Sequence, residues 1–223
     1  MSTEVAGLGR AKPEGPLKLA VPRGALFGET LDVLDGAGID TTELRGDSRS
    51  LIFEGSEITL VTMRPSDVPT YVAAGAADIG VTGKDVLIEQ AEREVYELLD
   101  LGYGRCTMVL ASVAGDDPME EARRRLGMMR IATKYPKIAA RHFAATGRQA
   151  EMVEVKGSVE LAPLTGLVDG IVDLTATGST LRENGLVVRE EIVVCTARLI
   201  ANPVAHKLKA AAIDELLERV RAA

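Results

Sequence analysis

Between Gly170 and Thr180 the chain reads Gly-Ile-Val-Asp-Leu-Thr-Ala-Thr-Gly-Ser-Thr, an apolar β-branched run with one carboxylate, followed at once by small and hydroxylic residues. Small residues let a backbone bend tightly, so successive amide N–H groups can converge on an anion. The hydroxyls of Thr175, Thr177, Ser179 and Thr180 add donors, and Ala176 and Gly178 leave room between them. If residues 181–184 turn helically, the unpaired amides of that turn face the same anion. Asp173 stands just before the loop, and a carboxylate has two oxygens with which to accept both hydrogen bonds of a ribose 2′,3′-diol. A diol acceptor followed by a phosphate loop describes a site for a 5-phosphoribosyl group. Asp, Thr, Gly and Ser are also the ordinary residues of a polar strand-to-helix turn, so the surrounding sequence has to decide.

The elements that must position this loop follow from periodicity. Residues 17–21 alternate and end at Pro22-Arg23-Gly24, and Phe27, Leu31 and Leu34 recur at helical spacing, which predicts strand, loop and helix. Arg23 then lies at the C-terminal end of a strand, where open α/β sheets bind ligands. Residues 51–53 and 58–63 read as strands flanked by Arg49 and Arg64, and residues 76–83 as a short strand ending in a glycine turn. Strands are also predicted over 95–101, 106–112, 129–133 and 149–155, with helices over 66–75, 84–91, 118–126 and 137–146. Strands alternating with helices imply parallel βα units. Residues 186–201 read as one long strand, and a helix opening at Asn202-Pro203 would place Leu208, Ala212, Leu216 and Val220 on one face.

Several motifs in this order resemble the ATP phosphoribosyltransferase family. They are Leu19-Ala-Val-Pro-Arg-Gly24, Arg64-Pro-Ser-Asp-Val-Pro69, Asp78-Ile-Gly-Val-Thr-Gly-Lys-Asp-Val-Leu87 and Ala132-Thr-Lys-Tyr-Pro136. With them go Gly157-Ser-Val-Glu160, Ala162-Pro163, Gly166-Leu167, Asp173 and Thr177-Gly-Ser-Thr-Leu181. The chain departs from the family's pattern at Ala25 and Thr107, where Arg is usual.

The resemblance implies a two-lobed α/β fold of the type II periplasmic-binding-protein kind with a central cleft. One lobe is expected from residues 17–103 plus 189–223 and the other, carrying the loop, from 104–188, with 1–16 a mobile tail. It implies ATP and 5-phosphoribosyl 1-pyrophosphate as substrates, with Mg²⁺ riding on the pyrophosphate rather than in a protein cage. The loop from Thr175 to Thr180 is expected on the 5-phosphate, Asp173 on the ribose hydroxyls and Glu160 near the ribose or the metal. Arg23, Arg49, Arg64 and Thr82 are expected on the nucleotide and pyrophosphate, where guanidinium forks suit phosphate oxygens. Asp173, Glu160 and Arg23 are the residues expected to carry catalysis, and Glu160 has a second reading as a helix cap.

Composition narrows the classes. With 46% apolar and 26% charged residues the chain is globular, and 3% aromatics without Trp argues against base-stacking platforms. A net charge of −7 disfavours nucleic acid and membrane surfaces, so a polyanionic substrate must be met by local cations. Cys106 and Cys195 fit no ligand spacing and read as buried thiols, while His142 and His206 read as structural. No apolar leader or 18-residue apolar run is present, which implies a cytoplasmic protein. The last helix ends with the chain, as in the family's short form. That resemblance implies a homodimer joining a histidyl-tRNA-synthetase-like regulatory subunit in a hetero-oligomer. A non-enzymatic ligand-binding module on the same fold is the competing class, since fold alone does not set function. Another phosphoribosyltransferase is the other alternative, although those carry two adjacent acidic residues where this chain has Val172-Asp173.

Overall fold

The computed structural model describes residues 15–46 and 49–223. The tail expected over residues 1–16 lies outside the described residues as far as residue 14. By contacts the chain divides into two compact units, one of the described residues up to Val81 with Glu94–Leu99 and Leu199–Ala223, the other of Thr82–Arg93 and Asp100–Arg198. The sequence-based boundaries instead assign residues 82–93, 100–103 and 189–198 to the first lobe. The architecture is the two-lobed α/β arrangement expected.

The first unit is built on β1 (Leu17–Pro22), α1 (Phe27–Gly36), α2 (Thr42–Arg45), β2 (Ile52–Phe53), β3 (Ile58–Met63), α3 (Val68–Ala73) and β4 (Ile79–Gly83). After α4 (Lys84–Glu89) it takes β5 (Tyr96–Asp100), and the chain's end returns to it. Among the described residues its sheet has the order β2-β3-β1-β4-β11-β5, where β11 is Ala197–Ala201. Strand β1 runs parallel to β3 and β4, while β2 is antiparallel to β3. Helices α1 and α3 lie against β1. Gly80 permits the close approach of α3, since a Cβ there would stand 2.6 Å from Val68 Cγ1.

The second unit contains β6 (Cys106–Val113), α5 (Pro118–Leu126), β7 (Met129–Thr133), α6 (Pro136–Ala145), β8 (Ala150–Glu154), α7 (Leu161–Leu164), β9 (Gly170–Thr175), α8 (Ser179–Glu183) and β10 (Leu186–Cys195). Its sheet has the order β10-β6-β9-β7-β8. Strands β7, β8 and β9 are parallel, but β6 is antiparallel to both β9 and β10. Alternate residues feed two cores, as the two-residue period of a strand requires. Met108, Leu110, Met129, Ile131 and Val172 pack with Phe143 of α6 and Met119 of α5. Val109, Ala111, Ala132 and Ile171 pack on the other face with Ala162 of α7 and Leu181 of α8. Truncating the fully buried Phe143 to Ala would cost about 3–5 kcal/mol.

Helix α5 is delimited as its residues predict, with Asp117 accepting from the Met119 amide at 3.0 Å and Gly127 left-handed at φ 74°. Two sequence expectations are corrected. The long strand over 186–201 breaks at Thr196, and its halves β10 and β11 belong to different sheets. The final helix is two, α9 (Pro203–Leu208) and α10 (Ala210–Ala222), broken at Lys209. The break resets the helical phase, so Ile213, Leu216 and Leu217 are buried while Leu208 is 68% exposed.

Candidate active site

Asp173 lies opposite Val109 in the antiparallel pairing of β9 with β6. It shares the parity of Ile171, so it stands on the α7 and α8 face, near the strand's C-terminal end. Its side chain is 12% exposed. Burial pushes its carboxyl above the usual carboxylate range, outweighing the Leu174 amide (2.9 Å) and the Lys134 ammonium, while the Glu160 carboxylate adds to the rise. This is a carboxylate taken out of water with acceptor capacity to spare, which suits it to hydroxyl donors.

The loop that follows is organised by its own hydroxyls. The Gly178 amide donates to Thr175 Oγ1 at 2.8 Å, and Thr177 Oγ1 donates to Ser179 Oγ at 3.0 Å. Gly178 is left-handed at φ 71°, the conformation only glycine adopts cheaply, and it turns the chain into α8. Ala176, Thr177, Ser179 and Thr180 are exposed. The α8 N-cap, Gly178, has no side chain with which to cap the helix, and the Ser179 amide donates to Thr177 Oγ1 at 3.4 Å. Arg182 reaches back to donate to the Thr177 carbonyl at 2.9 Å. Thr107, one departure from the family's pattern, pairs with Thr175 at the base of the loop.

Glu160 stands one residue before α7 and makes no capping hydrogen bond, so its reading as a helix cap fails. Its carboxylate acts on Asp173 instead. Lys134, absent from the expected site residues, has Nζ 4.0 Å from Asp173 Oδ2. Next to it Tyr135 donates to Asp85, and burial together with the Asp85 and Asp173 carboxylates holds the phenol well above its ordinary value. Burial likewise raises Asp85, against donors from Tyr135 and the amides of residues 85 and 86. A Cβ at Gly83 would fall where the Asp85 carboxylate sits, so the glycine in Gly83-Lys84-Asp85 makes room for it. The sequence signal for these residues is the Ala132–Pro136 and Asp78–Leu87 motifs, but no spacing within either points to Asp173.

In the first unit, Pro22 pairs with Met63, so Arg23 and Arg64 leave neighbouring parallel strands at the same level. The Arg23 amide donates to the Met63 carbonyl at 2.8 Å. Strand β2 runs back alongside, Thr62 donating to Leu51 at 2.8 Å, which brings Arg49 and Ser50 to that edge. Arg23 Nη2 donates to the Ser50 carbonyl at 3.4 Å, and its guanidinium lies 5.7 Å from the Phe27 ring centroid. All three arginines are exposed. Together they form a cationic rim suited to phosphate oxygens. Thr82 differs from the three arginines in being fully buried in β4, where it presents no hydroxyl to a ligand at the surface. A cavity of about 650 Å³, lined by Leu17, Ile58, Leu208, Leu216 and Arg219, lies at the opposite, N-terminal end of β1 and β3 and holds none of these residues.

His142 Nε2 lies 2.9 Å from Glu190, which Arg148 holds at 2.6 and 2.8 Å. His206 packs edge-on to Tyr96 with centroids 5.6 Å apart. Burial pushes the Cys106 thiol up to about 11 and the Cys195 thiol up to about 12, too high for thiolate chemistry. Among the described residues no cluster of three or more His, Cys, Asp or Glu could hold a metal, and no helix is long and apolar enough to cross a membrane.

The sequence profile of the family described as ATP phosphoribosyltransferase (HisG) matches residues 64–222. A protein named ATP phosphoribosyltransferase from Rubrobacter xylanophilus is 51% identical over 205 residues, covering 92% of this chain and 94% of that one. One of the same name from Geobacillus sp. is 45% identical, covering 92% and 97%. In three dimensions the chain is similar to one in the ATP phosphoribosyl transferase (HisG:HisZ) complex from Thermotoga maritima. The TM-score is 0.78 and the identity 37%, over 92% of this chain and 96% of that one.

Proposed function

The chain belongs to the ATP phosphoribosyltransferase family, and from that premise we propose how its residues divide the reaction. ATP and 5-phosphoribosyl 1-pyrophosphate give N1-(5-phosphoribosyl)-ATP and pyrophosphate, the first step of histidine biosynthesis. The adenine N1 lone pair forms the bond to C1′ as the C1′–O bond breaks and its electron pair leaves with pyrophosphate. Positive charge grows on the ribose ring in between, so positioning and electrostatics carry the rate.

In this reading the backbone and hydroxyls from Thr175 to Thr180 hold the 5-phosphate of the donor. Asp173 accepts from the ribose 2′- and 3′-hydroxyls, and with Glu160 it sets negative charge beside the ring where cationic character develops. Arg23, Arg49 and Arg64 take the pyrophosphate and triphosphate oxygens. Mg²⁺ would be carried by the donor's pyrophosphate rather than by a protein cage, and would supply neutralisation of the charge that builds on the leaving group, a task shared with Arg23, Arg49 and Arg64. The observation that carries the assignment is the succession in β9 and the turn after it: a desolvated carboxylate, then a hydroxyl-braced loop with a left-handed glycine. By likeness to the HisG:HisZ complex, we assign the chain the HisG place: a homodimer joined in the cytoplasm by a regulatory partner of the histidyl-tRNA-synthetase-like kind.

The test is to mix the purified chain, alone and with that partner, with ATP, the ribosyl donor and Mg²⁺. Phosphoribosyl-ATP is followed by absorbance and mass. The product forms if the reading is right, and loss of Asp173 removes it. Undiminished product from the Asp173→Ala chain would overturn the site.

A further inference from the structure

Lys134 follows β7, and Thr133 at the end of that strand pairs with Val172 in β9. The parallel register therefore delivers residue 134 beside residue 173, although 39 positions of sequence separate them. The backbone is pinned on both sides of Lys134. Before it, Thr133 accepts from the Val155 amide at 3.0 Å; after it, the Tyr135 amide donates to Thr133 Oγ1 at 2.9 Å. Tyr135 is tied to buried Asp85, and Glu89 of α4 accepts from the Lys137 and Ile138 amides at 3.0 and 2.9 Å, capping α6. The Lys134 side chain is 41% exposed, and Nζ lies 4.0 Å from an Asp173 carboxylate that is only 12% exposed.

The other charged or titratable groups bearing on Asp173 are Glu160, before α7, and the Tyr135 phenol, before α6. Residue 109, opposite it on β6, is apolar. Arg182 of α8 is engaged with the Thr177 carbonyl. Among the described residues Lys134 is thus the cation acting on a carboxylate that burial and Glu160 both push toward neutrality.

We infer that Lys134 is a positioning residue for the ribosyl donor, acting through Asp173: its ammonium holds Asp173 ionised and oriented to accept the ribose hydroxyls. The inference rests on the assignment of Asp173 to the donor ribose. A half-exposed ion pair adds little to stability, so the cation's effect falls on the charge state of its partner. A protonated Asp173 would offer one fewer acceptor and compete for the diol as a donor itself.

The experiment compares the unmodified chain with Lys134→Met, Lys134→Arg and Asp173→Asn. In chains carrying ¹³C-labelled aspartate, the Asp173 carboxyl titration is followed by NMR, with Asp173→Asn identifying its resonance. Binding of 5-phosphoribosyl 1-pyrophosphate with Mg²⁺ is then titrated by calorimetry from pH 5 to 8. Lys134→Met should raise the Asp173 midpoint by a few tenths of a pH unit, weaken donor binding about two- to fivefold, the range of exposed and half-exposed pairs, and move its acid limb upward with the midpoint. Lys134→Arg should restore all three, and the melting temperature should not change. An unmoved midpoint, or a moved midpoint with unmoved donor binding, overturns the inference. Absence of donor binding by the unmodified chain instead overturns the phosphoribosyl reading itself, while the NMR arm still reports whether Lys134 governs Asp173.

Discussion

The Gly178 amide is bound to Thr175 Oγ1 at 2.8 Å, so the residue that ends β9 braces the residue that begins the turn into α8. This bond fixes where the turn's other amides point. The backbone at Gly178 is left-handed, φ 71°, and a Cβ there would stand 2.9 Å from Arg182 Nη1. Gly178→Val would strain the turn by at least about 1–2 kcal/mol and place a β-branched side chain in the phosphate path. We expect donor binding to fall below detection in calorimetric titration while the chain still folds cooperatively. Unchanged donor affinity in the folded variant would remove the loop from the phosphate site.

Asp173 gives a prediction in which stability and function move oppositely. Its folded-state pKa lies above the unfolded value, so folding takes up protons. Its contribution to stability therefore falls as pH rises from the ordinary carboxylate range through the raised folded-state value, and at pH 7–8 the ionised, desolvated group is a cost. Asp173→Asn should raise the melting temperature at pH 8 and change it less at pH 4. The same substitution should lower kcat/KM for the donor by about 2–4 kcal/mol of transition-state stabilisation, the scale of one well-placed electrostatic contact. A fall of less than about tenfold would mean that Asp173 does not contact the ribose.

How much of this could be read in the chain depended on whether the relation was local. Asp173 and the loop lie within one strand-to-turn succession, and Asp117, Pro118 and Gly127 delimit α5 in sequence as they do in space. The pairing of Lys134 with Asp173 was not legible, because it depends on the register of β7 on β9. Nor was the break at Thr196, since apolar and β-branched residues continue on both sides and only membership of different sheets separates β10 from β11. Alternation of strands and helices implies parallel βα units, yet β6 runs antiparallel to both of its neighbours, β9 and β10, a pairing of distant segments that no spacing announces.

Tyr135 and Asp85 test the framework behind the site. Tyr135→Phe would remove a donor from a buried carboxylate at a cost of about 1–3 kcal/mol. The phenol bonds the charged form of Asp85 and lowers its pKa, so its contribution is present when Asp85 is ionised and fades as pH falls through the Asp85 titration. The loss in melting temperature should accordingly be larger at pH 8 than at pH 5. Equal losses at both would show that the phenol contributes packing alone.

The arginine rim of the first unit makes a different kind of prediction, because it is exposed and holds no core together. Arg23 and Arg64 follow the paired residues Pro22 and Met63, so both guanidinium groups leave the sheet at one level on a chain whose net charge is −7. Local cations must then meet the substrate phosphates. Arg64→Ala should leave the melting temperature within a degree or two, since surface substitutions change stability by only about ±0.5 kcal/mol. It should cost about 1.5–3 kcal/mol in kcat/KM, the range for a hydrogen bond to a charged group. Arg64→Lys keeps the charge but loses the planar fork, so it should recover the salt dependence of the rate but only part of its size. If steady-state kinetics show Arg64→Lys equal to the unmodified chain, the residue acts as a point charge and the forked phosphate contact is wrong. If Arg64→Ala is also silent, the rim is not where the phosphates bind.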